Sequence, residues 1–244
     1  PECHPERLGF DPGHGTLMEK EVNRPLSIAI DGPVSAGKST LSDALARKLG
    51  ILHLDTGAMY RAVGLYALEN GINPASEAAL EEVIGNGWAA VSLEYTDGMQ
   101  ITLLNGQNVT HRLREEAVGA AASAVSRYPA VRRYLVDIQR QLARKQSLLI
   151  DGRDIGTVVL PEADVKIFLT ASPEARALRR YTQIISSGKK SDYPTVLQEL
   201  IKRDSQDTSR KHDPLRPAED AVVLDTSALS FEETLSKLLE LVEA

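Results

Sequence analysis

The sequence predicts an α/β fold of three layers, with a mainly parallel sheet between two layers of helices. Short apolar segments that end in turns alternate along the chain with longer segments of helical periodicity. The 244 residues are 42% hydrophobic and 25% charged, which suits one globular α/β domain with an insertion. A change of periodicity in the middle of the chain predicts a small antiparallel β insert.

The first strand is expected at residues 26–30 and the first helix at 39–49. Between them, residues 32–39 (GPVSAGKS) match G-x-x-x-x-G-K-[ST], a loop whose backbone N–H groups surround nucleotide phosphates. Glycine at 32 and 37 allows a tight turn close to a phosphate. We expect Lys38 to reach the β- and γ-phosphates of a nucleoside triphosphate and Ser39 to face Mg²⁺. The alternative is a glycine-rich turn that binds nothing.

A second strand at 51–54 is followed by helices at 58–70 and 76–84, the latter with Ser76 as N-cap. Strands at 89–95 and 99–104, separated by Asp-Gly and followed by Asn-Gly, predict the antiparallel unit. We expect it to be an insertion over the substrate. The alternative is a meander inside the main sheet.

The second half of the chain returns to alternating strands and helices. Helices are expected at 114–126 and 129–146, and core strands at 147–151 and 165–169. Two further helices are expected at 172–187 and 194–211, the second of them rich in charge, and a strand at 221–224 precedes a final helix. Ser230 and Glu233 form a capping box for that last helix.

Residues 1–24 have no sustained periodicity, and we expect a flexible extension there. Met18 is an alternative start within it. Cys3, His4 and His14 lack a fourth partner and regular spacing, so they are not expected to bind a metal.

Composition narrows the possible functions. The formal net charge of −6 argues against a polynucleotide partner, whose phosphates need a basic face. No apolar run approaches the roughly 18 residues of a membrane helix, and no signal pattern is visible. The single cysteine favours a reducing compartment. We therefore expect a cytoplasmic enzyme with small substrates and no membrane partner.

Arginines follow the ends of predicted strands or lie on helices near them, at the sheet edge where ligands bind in open α/β folds. They are Arg61, Arg132, Arg133, Arg153, Arg203 and Arg210. One triphosphate does not need so many guanidinium groups, so a second phosphorylated substrate is expected. Phosphoryl transfer between the two would need cations and the exclusion of water.

A basic lid on the two charged helices could exclude that water. Arg203, Asp207 and Arg210 fall on one helical face there, at i, i+4 and i+7. Arg176 and Arg180 could belong to the lid or to a solvated helix face. Asp151, at the end of an apolar strand, could orient the waters of Mg²⁺ or serve as a cap or turn residue.

Three segments beyond the phosphate loop resemble the bacterial cytidylate kinase family: residues 55–61 (DTGAMYR), 151–157 (DGRDIGT) and 203–210 (RDSQDTSR). The resemblance covers about residues 26–242. It implies a P-loop nucleoside monophosphate kinase domain at 25–244, with a core at 25–70, 147–172 and 212–244. The monophosphate-binding insert would span about 71–146 and a helical lid about 173–211. The implied activity is transfer of the γ-phosphate of ATP to CMP or dCMP with Mg²⁺, by a cytoplasmic monomer.

The resemblance also implies roles for individual residues. The ATP site would comprise Gly32, Pro33, Val34, Ser35, Ala36, Gly37, Lys38, Ser39, Thr40 and Arg179. The CMP site would comprise Thr56, Tyr60, Arg61, Ser123, Arg132, Arg153, Asp154, Asp207 and Arg210. Catalysis would depend on Lys38, Arg153, Arg203 and Arg210, with Ser39 and, through water, Asp151 at the metal. Within the CMP site, Ser123, Arg132 and Asp154 would contact cytosine.

Two other functions are compatible with the phosphate loop. One is a nucleotide-dependent switch, although neither switch loops nor the guanine-binding segment Asn-Lys-x-Asp is found. The other is a kinase with a different acceptor, such as UMP or shikimate.

Overall fold

The computed structural model of the protein describes residues 24–244. Strands and helices alternate along the chain, apart from one antiparallel stretch in the first half. In chain order they are β1 (Ser27–Asp31), α1 (Lys38–Leu49), β2 (Leu52–Asp55), α2 (Thr56–Glu69), α3 (Glu77–Gly85), β3 (Val91–Thr96), β4 (Met99–Leu104), β5 (Gln107–Asn108), α4 (Glu116–Val125), α5 (Pro129–Ala143), β6 (Leu148–Gly152), β7 (Val165–Thr170), α6 (Pro173–Ser186), α7 (Tyr193–Thr208), β8 (Val222–Asp225) and α8 (Phe231–Glu243).

The main sheet has five parallel strands in the order β2–β6–β1–β7–β8. Alternate side chains point to opposite faces of these strands. On one face, Ile28 and Leu149 pack in a core with residues of α1 and α8. On the other face, Ala29 and Leu148 pack with residues of α2, α4 and α5. The predicted three-layer α/β fold is therefore confirmed.

The antiparallel strands β3, β4 and β5 form a separate sheet, so a meander inside the main sheet is wrong. The predicted Asp-Gly turn has left-handed backbone at both positions, with φ of 52° at Asp97 and 74° at Gly98. The short β5 was not predicted. The sheet packs against β2 and α2, where Gln100 Oε1 accepts the backbone N–H of Asp55 at 2.8 Å.

Helices α6 and α7 form a pair with a small core of their own, made by Ala177, Val196 and Leu200. Helix α7 begins after Asp192, whose side chain accepts the N–H of Thr195, and ends at Thr208. The expected helix at 194–211 is therefore too long, and Arg210 lies just beyond its end. A 3₁₀ turn at Arg112–Arg114 and a π-helical turn at Ile155–Val159 were also not predicted.

The predicted extension lies almost wholly outside the described residues, as do Cys3, His4, His14 and Met18. Arg24 is described, and its guanidinium pairs with Asp164 at 2.5 Å. In the described part of the chain, no helix combines the length and apolar character needed to cross a membrane.

Candidate active site

A cavity of about 720 Å³ lies at the carboxyl edge of the main sheet. Its volume is in the range of small-molecule sites, about 300–1,000 Å³. Eight cationic side chains border it: Lys38, Arg61, Arg132, Arg153, Arg179, Arg180, Arg203 and Arg210. Four carboxylates also border it: Asp55, Asp151, Asp154 and Asp207. Although the whole chain is acidic, this cavity has an excess of positive charge and suits polyanionic ligands.

The phosphate loop connects β1 to α1 along one side of the cavity. Gly37 has a φ of 89°, and a Cβ on Gly32 would lie 1.9 Å from the carbonyl oxygen of Leu169, so both glycines are required. Residues 34–40 line the cavity. Gly32 and Pro33 do not border it; instead their carbonyl oxygens accept hydrogen bonds from Lys38 Nζ, each at 2.7 Å.

Lys38 is buried at the start of α1. Burial lowers the pKa of its ammonium well below the usual value, and the Arg153 guanidinium lowers it further. An anion in the cavity would favour the charged form of both groups. The position of Lys38 therefore suits a ligand that brings negative charge.

Ser39 and Asp151 form a pair of oxygen donors beside the loop, with Ser39 Oγ donating to Asp151 Oδ2 at 2.8 Å. The other Asp151 oxygen accepts from His53 Nε2, also at 2.8 Å. Burial alone would raise the pKa of Asp151, but the hydrogen bond and charge of His53, together with Lys38 and the Ser39 hydroxyl, outweigh burial and lower that pKa. An ionised carboxylate results.

Ionised carboxylate and hydroxyl oxygens are the ligands that Mg²⁺ prefers, and Mg²⁺ usually shares them with substrate phosphates and water. Within residues 24–244, no group of three His, Cys, Asp or Glu residues is placed to hold a metal alone. The Ser39–Asp151 pair therefore fits Mg²⁺ that is shared with a substrate. His53 was not predicted from the sequence.

Arg153, Arg203 and Arg210 converge around Asp207, which is almost completely buried. Arg153 Nε donates to Asp207 Oδ2 at 2.9 Å, and Arg210 binds the other oxygen. Arg203 Nε is buried with no hydrogen-bond partner in the described chain. Burial and the neighbouring Arg153 lower the pKa of Arg203 to about 10. One carboxylate thus neutralises only part of the charge of three guanidinium groups, and the remaining positive charge is available to a ligand.

The end of the cavity near α2, α4 and α5 contains the residues predicted to bind CMP. Thr56 Oγ1 donates to the carbonyl of Asp151 at 2.8 Å, at the N-terminus of α2. Burial raises the pKa of Tyr60 to about 12, so its hydroxyl stays neutral. Arg132 forms a buried ion pair with Asp154. The remaining predicted residues at this end, Arg61 and Ser123, also line the cavity.

This lining comes from α2, α4, α5 and α7 and from the residues that follow β6 and α7, and not from the antiparallel sheet. No residue between 88 and 108 borders the cavity. The antiparallel unit therefore does not line the cavity, because β4 packs beside β2 and α2, and its expected place over the substrate stays a prediction.

The opposite end of the cavity lies between α6 and the start of α8. Arg179 donates to the carbonyl and hydroxyl oxygens of Thr226, at 2.5 and 3.1 Å. Phe231 borders the same end and is 41% exposed. The sequence analysis did not predict that Phe231 and Thr226 border a ligand site. The capping box at Ser230 indicated only the start of a helix there.

Arg176 and Arg180 were expected either in a lid or on a solvated helix face, and the structure places them differently. Arg176 is buried and donates to Asp204 and to the carbonyls of Ala171 and Val34, so it is neither on a solvated face nor at the cavity. Arg180 does border the cavity. Arg133 lies outside it, beside a second cavity.

Asp31 was also not predicted, although it directly precedes the phosphate loop. Its two carboxylate oxygens accept the backbone N–H groups of Ile155 and Gly156, each at 2.8 Å. Burial raises its pKa to about 6, against the opposing effect of those hydrogen bonds. Asp31 therefore ties the phosphate-loop strand to the segment that carries Arg153 and Asp154.

The chain is similar to known proteins over most of its length. Residues 28–244 match the family model described as cytidylate kinase. The chain is 47% identical over 218 residues to a cytidylate kinase of Caldicellulosiruptor bescii, covering 89% of this chain and 96% of that protein. It is 49% identical over 217 residues to a cytidylate kinase of Mycobacterium leprae, covering 88% and 95%. A solved structure of shikimate kinase from Bacteroides thetaiotaomicron is similar at 13% identity and a TM-score of 0.45, covering 90% of this chain and 99% of that one.

Proposed function

The chain belongs to the cytidylate kinase family and is a nucleoside monophosphate kinase, and from this premise we propose that it transfers the γ-phosphoryl group of ATP to CMP or dCMP to give CDP or dCDP. The observation that carries the proposal is the convergence of guanidinium groups from five parts of the chain on the cavity that Lys38 also borders. A single triphosphate would leave several of these cations without an anionic partner. Two nucleotides placed end to end account for them.

The donor nucleotide would occupy the side formed by the phosphate loop, α6 and the start of α8. The backbone N–H groups of residues 34–40 and the Lys38 ammonium would bind its phosphates. Lys38 would exchange its bonds to the loop carbonyls for bonds to phosphate oxygens. The adenine would lie near Arg179 and Phe231, where an aromatic face is available for stacking.

The acceptor would occupy the side formed by α2, α4 and α5. Its phosphate would be bound by Thr56, Tyr60, Arg61, Arg153 and Arg210. Its ribose would contact Asp207 and Arg203, and its base would contact Ser123, Arg132 and Asp154. An ionised Asp154 would accept a hydrogen bond from the exocyclic amino group of cytosine, which UMP lacks.

In the reaction, an oxygen of the acceptor phosphate forms a bond to the γ-phosphorus while the bond between that phosphorus and the β–γ bridging oxygen breaks, so that ADP leaves. Lys38, Arg153, Arg203 and Arg210 would stabilise the negative charge on the transferred group. Mg²⁺, held by Ser39 and through water by Asp151, would supply further neutralisation of the phosphates. Residues 173–211 would close as a lid over both substrates and exclude water, and residues 71–146 would act as the monophosphate-binding insert.

We also propose that the enzyme works as a cytoplasmic monomer without polynucleotide or membrane partners. The acidic net charge supports the absence of a polynucleotide partner. Sedimentation at several protein concentrations tests the monomer, since a mass that increases with concentration would contradict it.

The central experiment is a panel of acceptors. Purified protein is supplied with ATP and Mg²⁺, and ADP release is measured with CMP, dCMP, UMP, AMP and shikimate. We expect CMP and dCMP to be the preferred acceptors and ADP release to require Mg²⁺. Equal or better turnover of AMP, UMP or shikimate would overturn the base assignment.

A further inference from the structure

A second cavity, of about 210 Å³, shares Arg132 with the active-site cavity. Asp213 lines this second cavity and contacts Arg132, whose Nε donates to Asp213 Oδ2 at 2.7 Å. Asp213 follows the segment of matching residues that ends at Arg210, and none of the roles assigned above involves it.

The position of Asp213 is set by its own loop. Its φ of 51° is in the left-handed region, which Asp and Asn tolerate better than most residues. Two residues later, the buried Leu215 anchors the loop, and its N–H donates to the carbonyl of Asp207 at 2.9 Å. The backbone around Asp213 is therefore held by a contact that does not involve Arg132.

The Arg132 guanidinium is fixed on several sides. Nε donates to Asp213, Nη2 donates to Asp154 Oδ2, and Nη1 lies 3.4 Å from the Tyr60 hydroxyl. Arg132 thus contacts one oxygen of each carboxylate. Within residues 24–244, the second oxygen of Asp154, Oδ1, accepts no hydrogen bond from a side chain or the backbone.

Guanidinium groups frequently bind a carboxylate by two parallel hydrogen bonds. Here the bond from Nε to Asp213 turns the group so that only one nitrogen faces Asp154. Without Asp213, Arg132 would be able to turn and occupy both oxygens of Asp154. Asp154 would then have less capacity to accept a hydrogen bond from a ligand.

We propose that Asp213 is a positioning residue for recognition of the acceptor base: it orients Arg132 so that one oxygen of Asp154 remains available to the exocyclic amino group of cytosine. The inference rests on the proposed function and extends it to a residue outside the cavity that binds the base. It predicts an effect on cytosine recognition that is separate from ATP binding and from stability.

The test uses the full-length protein and the variants Asp213→Asn and Asp213→Gly, both of which suit a left-handed backbone. The matched control is Asp43→Asn, which removes the charge from an exposed pair with the same donor and acceptor atoms, Arg47 Nε and Asp43 Oδ2. Steady-state kinetics are measured with CMP, UMP and ATP, together with the melting temperature.

For Asp213→Gly we expect the KM for CMP to rise about 10-fold. This corresponds to the loss of one of the weaker hydrogen bonds that involve a charged group. Asp213→Asn keeps an acceptor oxygen, so we expect a smaller rise in the same direction. The KM for UMP, the KM for ATP and the melting temperature should change little, and the preference for CMP over UMP should fall.

Two results would overturn the inference while leaving the proposed function intact. One is an unchanged KM for CMP in Asp213→Gly. The other is an equal rise in the KM for ATP with a lower melting temperature, which would indicate a structural role. If the unsubstituted protein failed to phosphorylate CMP, the proposed function itself would fail, and the control variant would show the same result.

Discussion

Replacing Arg176 and Arg153 separately by alanine should separate a role in stability from a role in catalysis. Arg176 is 3% exposed and donates to Asp204 at 2.6 and 3.0 Å and to the carbonyls of Ala171 and Val34 at 2.8 and 3.1 Å. It therefore joins α6, α7 and the phosphate loop. The Arg153 side chain is 21% exposed and borders the cavity.

Removing one partner of a buried ion pair costs about 3–5 kcal/mol. The Asp204 side chain keeps 21% exposure and can regain contacts with water, so we expect the lower end, about 3 kcal/mol, for Arg176→Ala. In a chain of this length such a loss lowers the melting temperature by roughly 6–12 °C.

Arg153→Ala should behave differently, because Asp207 keeps its ion pair with Arg210. We expect a stability loss of about 1 kcal/mol or less. Turnover efficiency should fall more than about 100-fold, as expected when a contact to the transferred group is lost.

The two variants are compared by thermal unfolding and by a coupled assay of ADP release. Arg47→Ala, which removes an exposed ion pair on α1, is the control and should change neither measurement appreciably. The reasoning would be refuted if Arg176→Ala melted like the unsubstituted protein, or if Arg153→Ala kept activity within about 10-fold.

Three further predictions follow from close packing, burial and the donor end of the cavity. Gly64→Ala would place a Cβ 2.9 Å from the backbone nitrogen of Ala122 and so push α2 away from α4. The free energy of unfolding, measured in urea, should fall by about 1–3 kcal/mol, and the KM for CMP should rise while the KM for ATP does not. An unchanged free energy of unfolding would contradict this. Burial raises the pKa of Asp31 from 3.8 to about 6, so the folded state binds this proton more tightly, and Asp31 makes stability decrease as the pH rises from about 4 to 6. In Asp31→Asn the free energy of unfolding should therefore decrease less with pH across this window than in the unsubstituted protein. Urea unfolding at several pH values measures both dependences, and an identical slope in the two proteins would show that the argument is wrong. Phe231→Ala should raise the KM for ATP about 10-fold through lost stacking on the adenine and leave the KM for CMP unchanged; an equal change in both constants would count against a donor-base site.

The local features of the fold could be predicted because their causes are local. The phosphate loop depends on glycines within eight residues, and both Gly32 and Gly37 have the backbone that the motif requires. The capping box at Ser230 and Glu233 and the left-handed turn at Asp97 and Gly98 follow equally from adjacent residues. Hydrophobic periodicity likewise predicted a three-layer fold.

The candidate site was predictable to the extent that its residues follow the ends of parallel strands. Asp55 is the last residue of β2, and Asp151 is the penultimate residue of β6, its neighbour in the sheet; both border the cavity. Individual roles within that region were less predictable. Arg176 and Arg179 lie one turn apart on α6, yet one is buried in a structural network and the other borders the cavity.

By itself, the sequence determined the phosphate loop, the alternation of strands and helices, and the set of cations available to a phosphorylated ligand. Only the tertiary structure decided which of these groups meet. Asp213 contacts Arg132 from 81 positions away, and His53 contacts Asp151 from 98 positions away. Such pairs depend on strand order and helix packing, which arise from the burial of the whole core and not from the residues beside each partner.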